Sequence, residues 1–216
     1  MALPANEPFT GSDATAVASL ANWTNVDDPG YEIVSNQAKP NSGTYSADRW
    51  SADIFNDDQY AEASVTALAA NAYCGVAVRC ASDAATYYAW SSNSNDGAYF
   101  EKVIADSTWA LAAKSTVWDV NDVCRLEASG TTITPLINGA EKDPPGAVTD
   151  GSISSGWAGI GGYGDDASYI DNWEGGNLAA GGGVIGQFAS VAWANVGQIA
   201  GVAEASIAAV AGVKAN

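Results

Sequence analysis

The chain of 216 residues carries 8 Lys or Arg against 25 Asp or Glu, which gives a net charge of −17. This charge repels nucleic-acid phosphates and anionic lipid, so we expect neither nucleic acid nor a membrane as a partner. The length suits one all-β domain with a small appendage, and the 23 glycines disfavour a helical bundle because glycine weakens helix interiors.

Alternating apolar and polar residues predict strands along most of the chain. At residues 59–68, alanine and valine alternate with polar side chains, which is the pattern of a half-buried strand. Residues 73–80 alternate again, with cysteines and valines on one side. Residues 141–149 predict a loop, because adjacent prolines cannot pair in a sheet. Short strands at this spacing indicate a sandwich or a barrel. The other predicted strands are 86–90, 98–104, 108–112, 122–128, 131–137, 155–163 and 168–174.

The three cysteines are an odd number and cannot all pair with one another. Cys74 and Cys80 fall on one face of a predicted strand, about 20 Å apart along the chain, which prevents a bond between them. We expect three buried thiols that behave as small apolar residues, with a bridge from Cys124 to a neighbouring strand as the alternative.

The order of four segments resembles a known superfamily. An opening segment carries a first-strand motif, and central strands, a hairpin and a closing strand follow at residues 75–90, 124–139 and 168–178. The motif residues are Phe9, Thr10, Gly11, Asp13 and Trp23 at the start and Ile170, Asp171, Asn172 and Trp173 at the end. Over about residues 8–176, the chain resembles the concanavalin A-like lectin/glucanase superfamily in its laminin-G-like branch. The resemblance implies an all-β fold over residues 1–178, a concanavalin A-like jelly-roll β-sandwich.

Residues 184–216 comprise three eleven-residue repeats that follow a Gly-rich linker at residues 179–183. Each repeat is predicted to hold a short helical turn, which Asn195 or Ser206 can cap; a right-handed coiled coil is the alternative. The apolar side chains of the repeats need a partner surface, so we predict attachment or oligomerisation contacts there. The predicted contact residues are Ile185, Phe188, Val191, Trp193, Val196, Ile199, Val202, Ile207, Val210 and Val213.

These repeats resemble the C-terminal tails of bacteriophage virion proteins. The resemblance implies a structural role, as a capsid decoration protein or a tail or fibre component whose sandwich faces outward and whose repeats anchor it. The implied partners are other virion proteins or copies of the same chain. The N-terminus lacks the basic start and apolar run of a signal peptide, so we expect synthesis in a host cytoplasm and location in the virion.

The sequence offers little support for catalysis. Without histidine, His-based triads and common zinc sites are excluded. The E-x-D-x-x-E carboxylates of glucanases with the resembled fold are absent from this sequence. The nearest pair, Asp171 and Glu174, has an odd offset that sends the two side chains to opposite faces of a regular strand. We therefore expect a protein that is not an enzyme, with a glycan-degrading enzyme of the same fold as a second alternative.

No cofactor is expected, although three acidic pairs fall in predicted loops. Loop carboxylates often hold Ca²⁺ in relatives of the resembled fold, so a Ca²⁺ site is the alternative. Solvated turn acids are the favoured interpretation, and no EF-hand spacing is present. The pairs are Asp27-Asp28, Asp57-Asp58 and Asp165-Asp166.

The aromatic residues give the first alternative function, a carbohydrate-binding host-adhesion module. In lectins of the resembled superfamily, aromatic rings on the concave sheet stack against sugars; here the candidates are Trp50, Tyr88, Trp90 and Trp118. Each of these rings could instead fill the core between two sheets. Arg79 could hydrogen-bond a sugar or a phosphate, or it could pair with a nearby Asp. Host surface glycans would then be the partner.

Overall fold

The computed structural model describes residues 3–179, apart from Asp83, Asp143 and the side chain of Ser42. Within that part, the chain forms seventeen strands and one short 3-10 turn at Val17–Ser19. No described helix has the length and hydropathy needed to cross a membrane. The strands are β1 (Ala5–Glu7), β2 (Thr15–Ala16), β3 (Trp23–Asp27), β4 (Tyr31–Val34), β5 (Gln37–Pro40), β6 (Ser42–Trp50), β7 (Gln59–Ala67), β8 (Cys74–Cys80), β9 (Tyr87–Ser92), β10 (Ala98–Ile104), β11 (Ser107–Ala110), β12 (Val123–Ser129), β13 (Thr132–Ile137), β14 (Ala140–Glu141), β15 (Val148–Thr149), β16 (Trp157–Gly164) and β17 (Tyr169–Asn177).

The strands pair antiparallel into two sheets. The back sheet runs in the order β14-β13-β12-β7-β17-β5-β4-β2, with β1 paired to β17 and β15 paired to β13. The front sheet runs in the order β11-β10-β9-β8-β16-β6-β3. Strands far apart in sequence lie side by side in both sheets, as β7 beside β17 and β8 beside β16 do. The predicted all-β sandwich is therefore confirmed.

The main core lies between the two sheets. In β7, the buried residues Ala61, Ala63 and Val65 alternate with half-buried polar ones, so this back-sheet strand packs inward with one face. The front-sheet strands β8 and β9 differ, because every residue in them is buried. The outer face of the front sheet is therefore covered as well, by a second apolar cluster. That cluster contains Ala47, Ala77, Cys80, Ala85, Tyr87, Ala89 and Val103.

From β7 onward, the predicted strands agree with the structure to within three residues at each end. The predicted loop at 141–149 is confirmed only in its middle, because its ends pair with β13 as β14 and β15. Strands β1 to β6 were not predicted. In β6, two inward positions hold the buried polar residues Ser46 and Asp48, which hides the apolar alternation of a strand.

The predicted first-strand motif is wrong for its opening residues. The stretch from Phe9 to Asp13 precedes β2 and lies outside the strands, whereas Trp23 begins β3. Phe9 and Trp23 nevertheless belong to the core, with ring centroids 5.6 Å apart. The motif thus marks buried aromatic residues rather than a strand.

The prediction of three buried thiols is confirmed, because Cys74, Cys80 and Cys124 are all buried and free. The prediction that Cys74 and Cys80 share one face is wrong: Cys74 belongs to the main core and Cys80 to the outer cluster, because the positive φ of Arg79 interrupts the alternation of β8. Burial raises the pKa of the Cys80 and Cys124 thiols to about 12, so these thiols stay protonated. The predicted linker, the three repeats and their contact residues lie outside the described residues, and their helical turns stay a prediction.

Candidate functional site

Four tyrosines converge on the outer face of the front sheet. Tyr45 in β6 lies directly opposite Tyr163 in β16, and Tyr163 in turn bridges to Tyr73, just before β8. On the far side, Tyr99 in β10 lies opposite Ser91 in β9. Because directly opposite residues of an antiparallel pair share one face, the sheet pairing itself brings these side chains together.

Together with one carboxyl group, these side chains line a cavity of about 240 Å³, which we call the tyrosine cup. Neighbouring rings meet edge to face: the ring centroids are 5.3 Å apart for Tyr45 and Tyr163 and 4.8 Å apart for Tyr73 and Tyr99. Such packed rings form a wall of fixed shape. The cup is lined by Tyr45, Tyr73, Ser91, Tyr99, Glu101 and Tyr163.

Small residues lie next to the cup at the centre of the outer face. A Cβ at Gly161 would lie 3.3 Å from the Cβ of Ala77 and 3.5 Å from that of Ala89. Farther along the same face, Tyr87 is buried, and its hydroxyl donates a hydrogen bond to the Asp27 carboxylate at 2.9 Å. The outer face is thus filled at the Tyr87 end and left open at the cup.

Glu101 is the acidic group of the cup. Burial raises the pKa of this carboxyl to about 7, and the Lys114 ammonium opposes the rise. Among the described residues, none donates a hydrogen bond to the Glu101 carboxyl. Burial, followed by the charge of Glu101, also raises the pKa of Tyr45. The carboxyl is thus a partly buried acceptor beside aromatic rings.

The rim of the cup carries both signs of charge. The Tyr73 hydroxyl donates to the Asp96 carboxylate at 2.7 Å, which lowers the pKa of Asp96. The Lys114 ammonium lies 4.0 Å from the centroid of the Tyr99 ring, a cation–π contact. Both rim groups are exposed, so a ligand entering the cup would pass beside them.

The predicted sugar-stacking residues lie elsewhere. Trp50, Tyr88, Trp90 and Trp118 are at most 2% exposed and belong to the core between the sheets. The prediction that they contact a ligand is wrong, because these side chains project from the inner face of the front sheet or pack against it. Their alternative role, to fill the space between the sheets, is confirmed.

Both predicted roles of Arg79 are also wrong. Its side chain is 1% exposed, so it cannot reach a sugar or a phosphate in solution. Its guanidinium donates to the main-chain carbonyls of Asp57, Gly130 and Ile153 at 2.6 to 3.1 Å, rather than to a carboxylate. The backbone at Arg79 has a φ of +54°, which breaks the regular alternation of β8. Arg79 therefore ties three loops to the front sheet.

A bulge in β17 brings Asp171 and Glu174 to one face of the sheet, so the prediction that they lie on opposite faces is wrong. The register of β17 shifts between these two residues, at Asn172, whose φ is +51°. Asp171 lies opposite Ser64 and Glu174 opposite Glu62, so both acids share the outer face of the back sheet. This pair is on the other sheet from the tyrosine cup.

The acidic loop pairs do not assemble into a metal site among the described residues, where no three His, Cys, Asp or Glu side chains cluster suitably. Three of these acids have protein partners: Asp27 accepts a hydrogen bond from the Tyr87 hydroxyl, Asp58 from the Gly130 amide and Asp166 from the Ala167 amide.

A second cavity of about 360 Å³ lies among loops at residues 54–57, 81–82 and 155–157. Trp157 lines this cavity, and the Arg49 guanidinium makes a cation–π contact with its ring, 4.2 Å from the ring centroid. Its lining includes Ile54, which is 87% exposed, so the walls are less enclosed than those of the tyrosine cup.

Sequence analysis missed the residues of the tyrosine cup, although one signal was present. Placing the cysteines and valines of β8 inward implies that Tyr73 faces outward, because successive side chains alternate. Tyr163 directly follows a glycine and Tyr99 lies two residues after one, each near a strand end. What the sequence hides is the register that brings the four strands together.

No family model matches the chain, and no curated protein does. The carbohydrate binding module CBM66 from Bacillus subtilis has a TM-score of 0.55 and 20% identity, covering 72% of this chain and 97% of its own. A protein with a galectin-like fold from Bacillus subtilis has a TM-score of 0.54 and 10% identity, covering 80% and 94%. The Crh5 transglycosylase has a TM-score of 0.52 and 11% identity, covering 82% and 85%.

The fold is the concanavalin A-like jelly roll. The predicted fold class is confirmed for the described part of the chain. At these identities the likeness concerns the fold alone, so function has to be argued from the site.

Proposed function

We propose that this protein is a carbohydrate-binding module that holds a sugar ring in the tyrosine cup. The observation that carries the proposal is the convergence of four tyrosine rings and one carboxyl on a cavity of about 240 Å³. That volume equals about eight water molecules at ~30 Å³ each, which is the scale of one sugar ring rather than of a long chain.

The chemistry of the cup suits a sugar. Aromatic faces carry negative potential, which attracts the positively polarised C–H groups on the flat side of a sugar ring. The Glu101 carboxyl and the Ser91 hydroxyl can bond sugar hydroxyls, and the tyrosine hydroxyls can do the same at the edges. Mostly apolar walls with a few convergent polar groups are typical of small-molecule sites.

Binding is better supported than cleavage. Glycosidases of the common kind use two carboxyl groups on either side of the scissile bond. Among the described residues that line the cup, Glu101 supplies one carboxyl. The similar structures support a glycan ligand, since CBM66 is named as a carbohydrate binding module and Crh5 as a transglycosylase.

The virion hypothesis has a different basis. It depends on the repeats at residues 184–216, which lie outside the described residues. A role in a particle, the implied virion partners and a virion location therefore stay predictions. The tyrosine cup and the similar structures favour the carbohydrate-binding alternative, whether or not the module is carried on a particle.

A glycan array probed with the full chain tests the proposal, followed by calorimetry with the best glycan. We expect Tyr163→Ala to weaken binding about tenfold, because it removes one ring of the cup. The matched control is Trp109→Ala, an aromatic that is 47% exposed and does not line the cup, and it should bind as the wild type does. No glycan bound, or equal losses in both variants, contradicts the proposal. Release of new reducing ends during incubation would instead indicate hydrolysis.

A further inference from the structure

The tyrosine cup has a marked electrostatic character beyond its fit to a sugar. Its charged lining residue is Glu101, and no Lys or Arg is among the described residues that line it. The four tyrosine rings line the cup beside this carboxyl, and an aromatic face carries negative potential. The charge of Glu101 therefore sets the sign of the potential that a ligand meets in the cup.

The structure already contains an ammonium group on one of these rings. The Lys114 Nζ lies 4.0 Å from the centroid of Tyr99, at the rim. Lys114 is exposed, and its pKa is raised by its contact with Tyr99. The ring is thus within cation–π distance of an ammonium group.

A cation in the cup would give the Glu101 carboxyl a partner of opposite charge. It is partly buried, receives no hydrogen bond from any described residue, and has only the rim group Lys114 to oppose its charge. A neutral sugar would offer it a hydroxyl. An ammonium would offer a charge-assisted hydrogen bond and also compensate the buried negative charge.

We propose that the tyrosine cup selects a sugar with a positive charge, an amino sugar whose ammonium lies between the aromatic rings and Glu101. The inference rests on the proposed carbohydrate-binding function and names the ligand class of the same site. Aromatic rings around a cation, with a carboxylate in contact, are the chemistry by which proteins recognise alkylammonium groups. We expect a preference of about tenfold for the charged over the neutral form of the same sugar.

The test uses two glucose derivatives whose 2-substituents differ in charge: glucosamine with a permanently charged trimethylammonium group, which carries the charge without an N–H donor, and neutral N-acetylglucosamine. Calorimetry with the full chain should give the trimethylammonium sugar about tenfold tighter binding. Glu101→Gln keeps the size of the side chain and removes its charge, so the ratio of the two affinities should fall to about one, whatever the variant's affinity for either sugar alone. Because this variant relieves a buried charge, it should fold at least as well as the wild type.

The net charge of −17 could attract any cation weakly, so the control must remove one charge elsewhere. Glu127→Gln does this on the outer face of the back sheet, where Glu127 pairs with Arg125 at 2.8 Å. It should keep the preference for the charged sugar. If Glu101→Gln and Glu127→Gln reduce the preference equally, the cation is held by the field of the whole protein and the inference is overturned.

A pH series adds a signature that a structural role of Glu101 would not produce. The groups facing Glu101 are Tyr45, Tyr73, Tyr99, Tyr163, Asp96 and Lys114. Burial raises the pKa values of Tyr45 and Tyr73, and that of Asp96 is lowered, so these three keep their charge states between about pH 5 and pH 8. Since the pKa of Glu101 is about 7, affinity for the fixed-charge sugar should rise through that pH as Glu101 ionises.

Other outcomes separate the inference from the proposed function. Equal binding of both sugars, or tighter binding of N-acetylglucosamine, overturns the cation preference and leaves carbohydrate binding intact. Glu101-dependent binding of tetramethylammonium, with no binding of either sugar, supports the cation site and overturns the carbohydrate function. No binding of any of the three probes overturns both.

Discussion

The two faces of the front sheet use the same strands for different tasks. In β9, Tyr88 and Trp90 point into the core, whereas Tyr87, Ala89 and Ser91 point outward. The inner face packs tryptophans together with Tyr88, whereas the cup on the outer face is built from tyrosines. An aromatic residue can therefore contact a ligand only if it lies on the outer face. Its capacity to stack on a sugar does not decide this.

The difference follows from what each face contacts. Inner-face rings pack with one another: the centroid of Trp173 lies 4.8 Å from that of Trp23 and 5.5 Å from that of Trp50. Tyrosine suits the outer face because its ring packs while its hydroxyl stays near water. Tyr163, for example, is 38% exposed and still contacts two other rings.

The largest expected effect is on the inner face. Trp90→Ala should lower the free energy of unfolding by about 3–5 kcal/mol, because it leaves a cavity beside Phe100 and Trp118. Urea denaturation measures this loss. Tyr163→Ala on the outer face should cost less than about 1.5 kcal/mol, since its ring is partly exposed. Equal losses in the two variants would remove the distinction between the faces.

Arg79→Lys should cost about 2–3 kcal/mol, because lysine cannot donate to three main-chain carbonyls at once and leaves buried acceptors unpaired. Urea denaturation again gives the value. Glycan binding by the folded fraction should be unchanged, since Arg79 does not line the cup. A variant of wild-type stability that fails to bind glycan would show that Arg79 acts on the ligand after all.

Glu101→Gln should stabilise the protein at high pH. Because burial raises the pKa of Glu101 from 4.5 to about 7, the native state holds its proton where the unfolded state has lost it. The free energy of unfolding therefore falls as the pH rises from about 4.5 to about 7. The variant does not lose this stability, because glutamine does not titrate. Asp48, with a pKa of about 7, titrates in the same range, so the quantity to measure is the difference between variant and wild type.

That difference should be near zero at about pH 4 and, allowing for partial exposure of Glu101, on the order of 2 kcal/mol at about pH 8. Thermal unfolding across this range provides the measurement. A difference independent of pH would show that the folded protein does not raise the pKa of Glu101.

The smallest effect is expected for Trp109→Ala. Trp109 is 47% exposed on the edge strand β11, so its loss should change the free energy of unfolding by no more than about 0.5 kcal/mol. Denaturant titration and glycan calorimetry on the same sample check both properties. A clear drop in affinity would extend the binding surface beyond the tyrosine cup.

Some strands of the fold could be predicted from the sequence and others could not. Alternation predicted β7 and β12 well, because apolar residues occupy their inward positions. It missed β6, whose inward residues include Ser46 and Asp48, and with β6 it missed Tyr45. An aromatic residue in an alternating strand has two possible faces, and long-range pairing, which the sequence does not display, selects one.

The errors at Arg79 and Asp171 have one cause. Each lies at or next to a residue with positive φ, Arg79 itself and Asn172, where the register of the sheet shifts. A shift by one residue reverses which face every later side chain occupies. Arguments from even and odd spacing therefore fail at bulges, and asparagine in a strand was the one hint available in the sequence.

The central claim is that glycan binds in the tyrosine cup, and NMR mapping of the full chain tests it most directly. Titration with the best glycan from the array should shift the amide signals of β6, β10 and β16 around Tyr45, Glu101 and Tyr163. Signals from the back-sheet strands β12 and β13 should stay in place. Shifts confined to the back sheet or to the loops around Trp157, or no shifts at saturating glycan, would contradict the account.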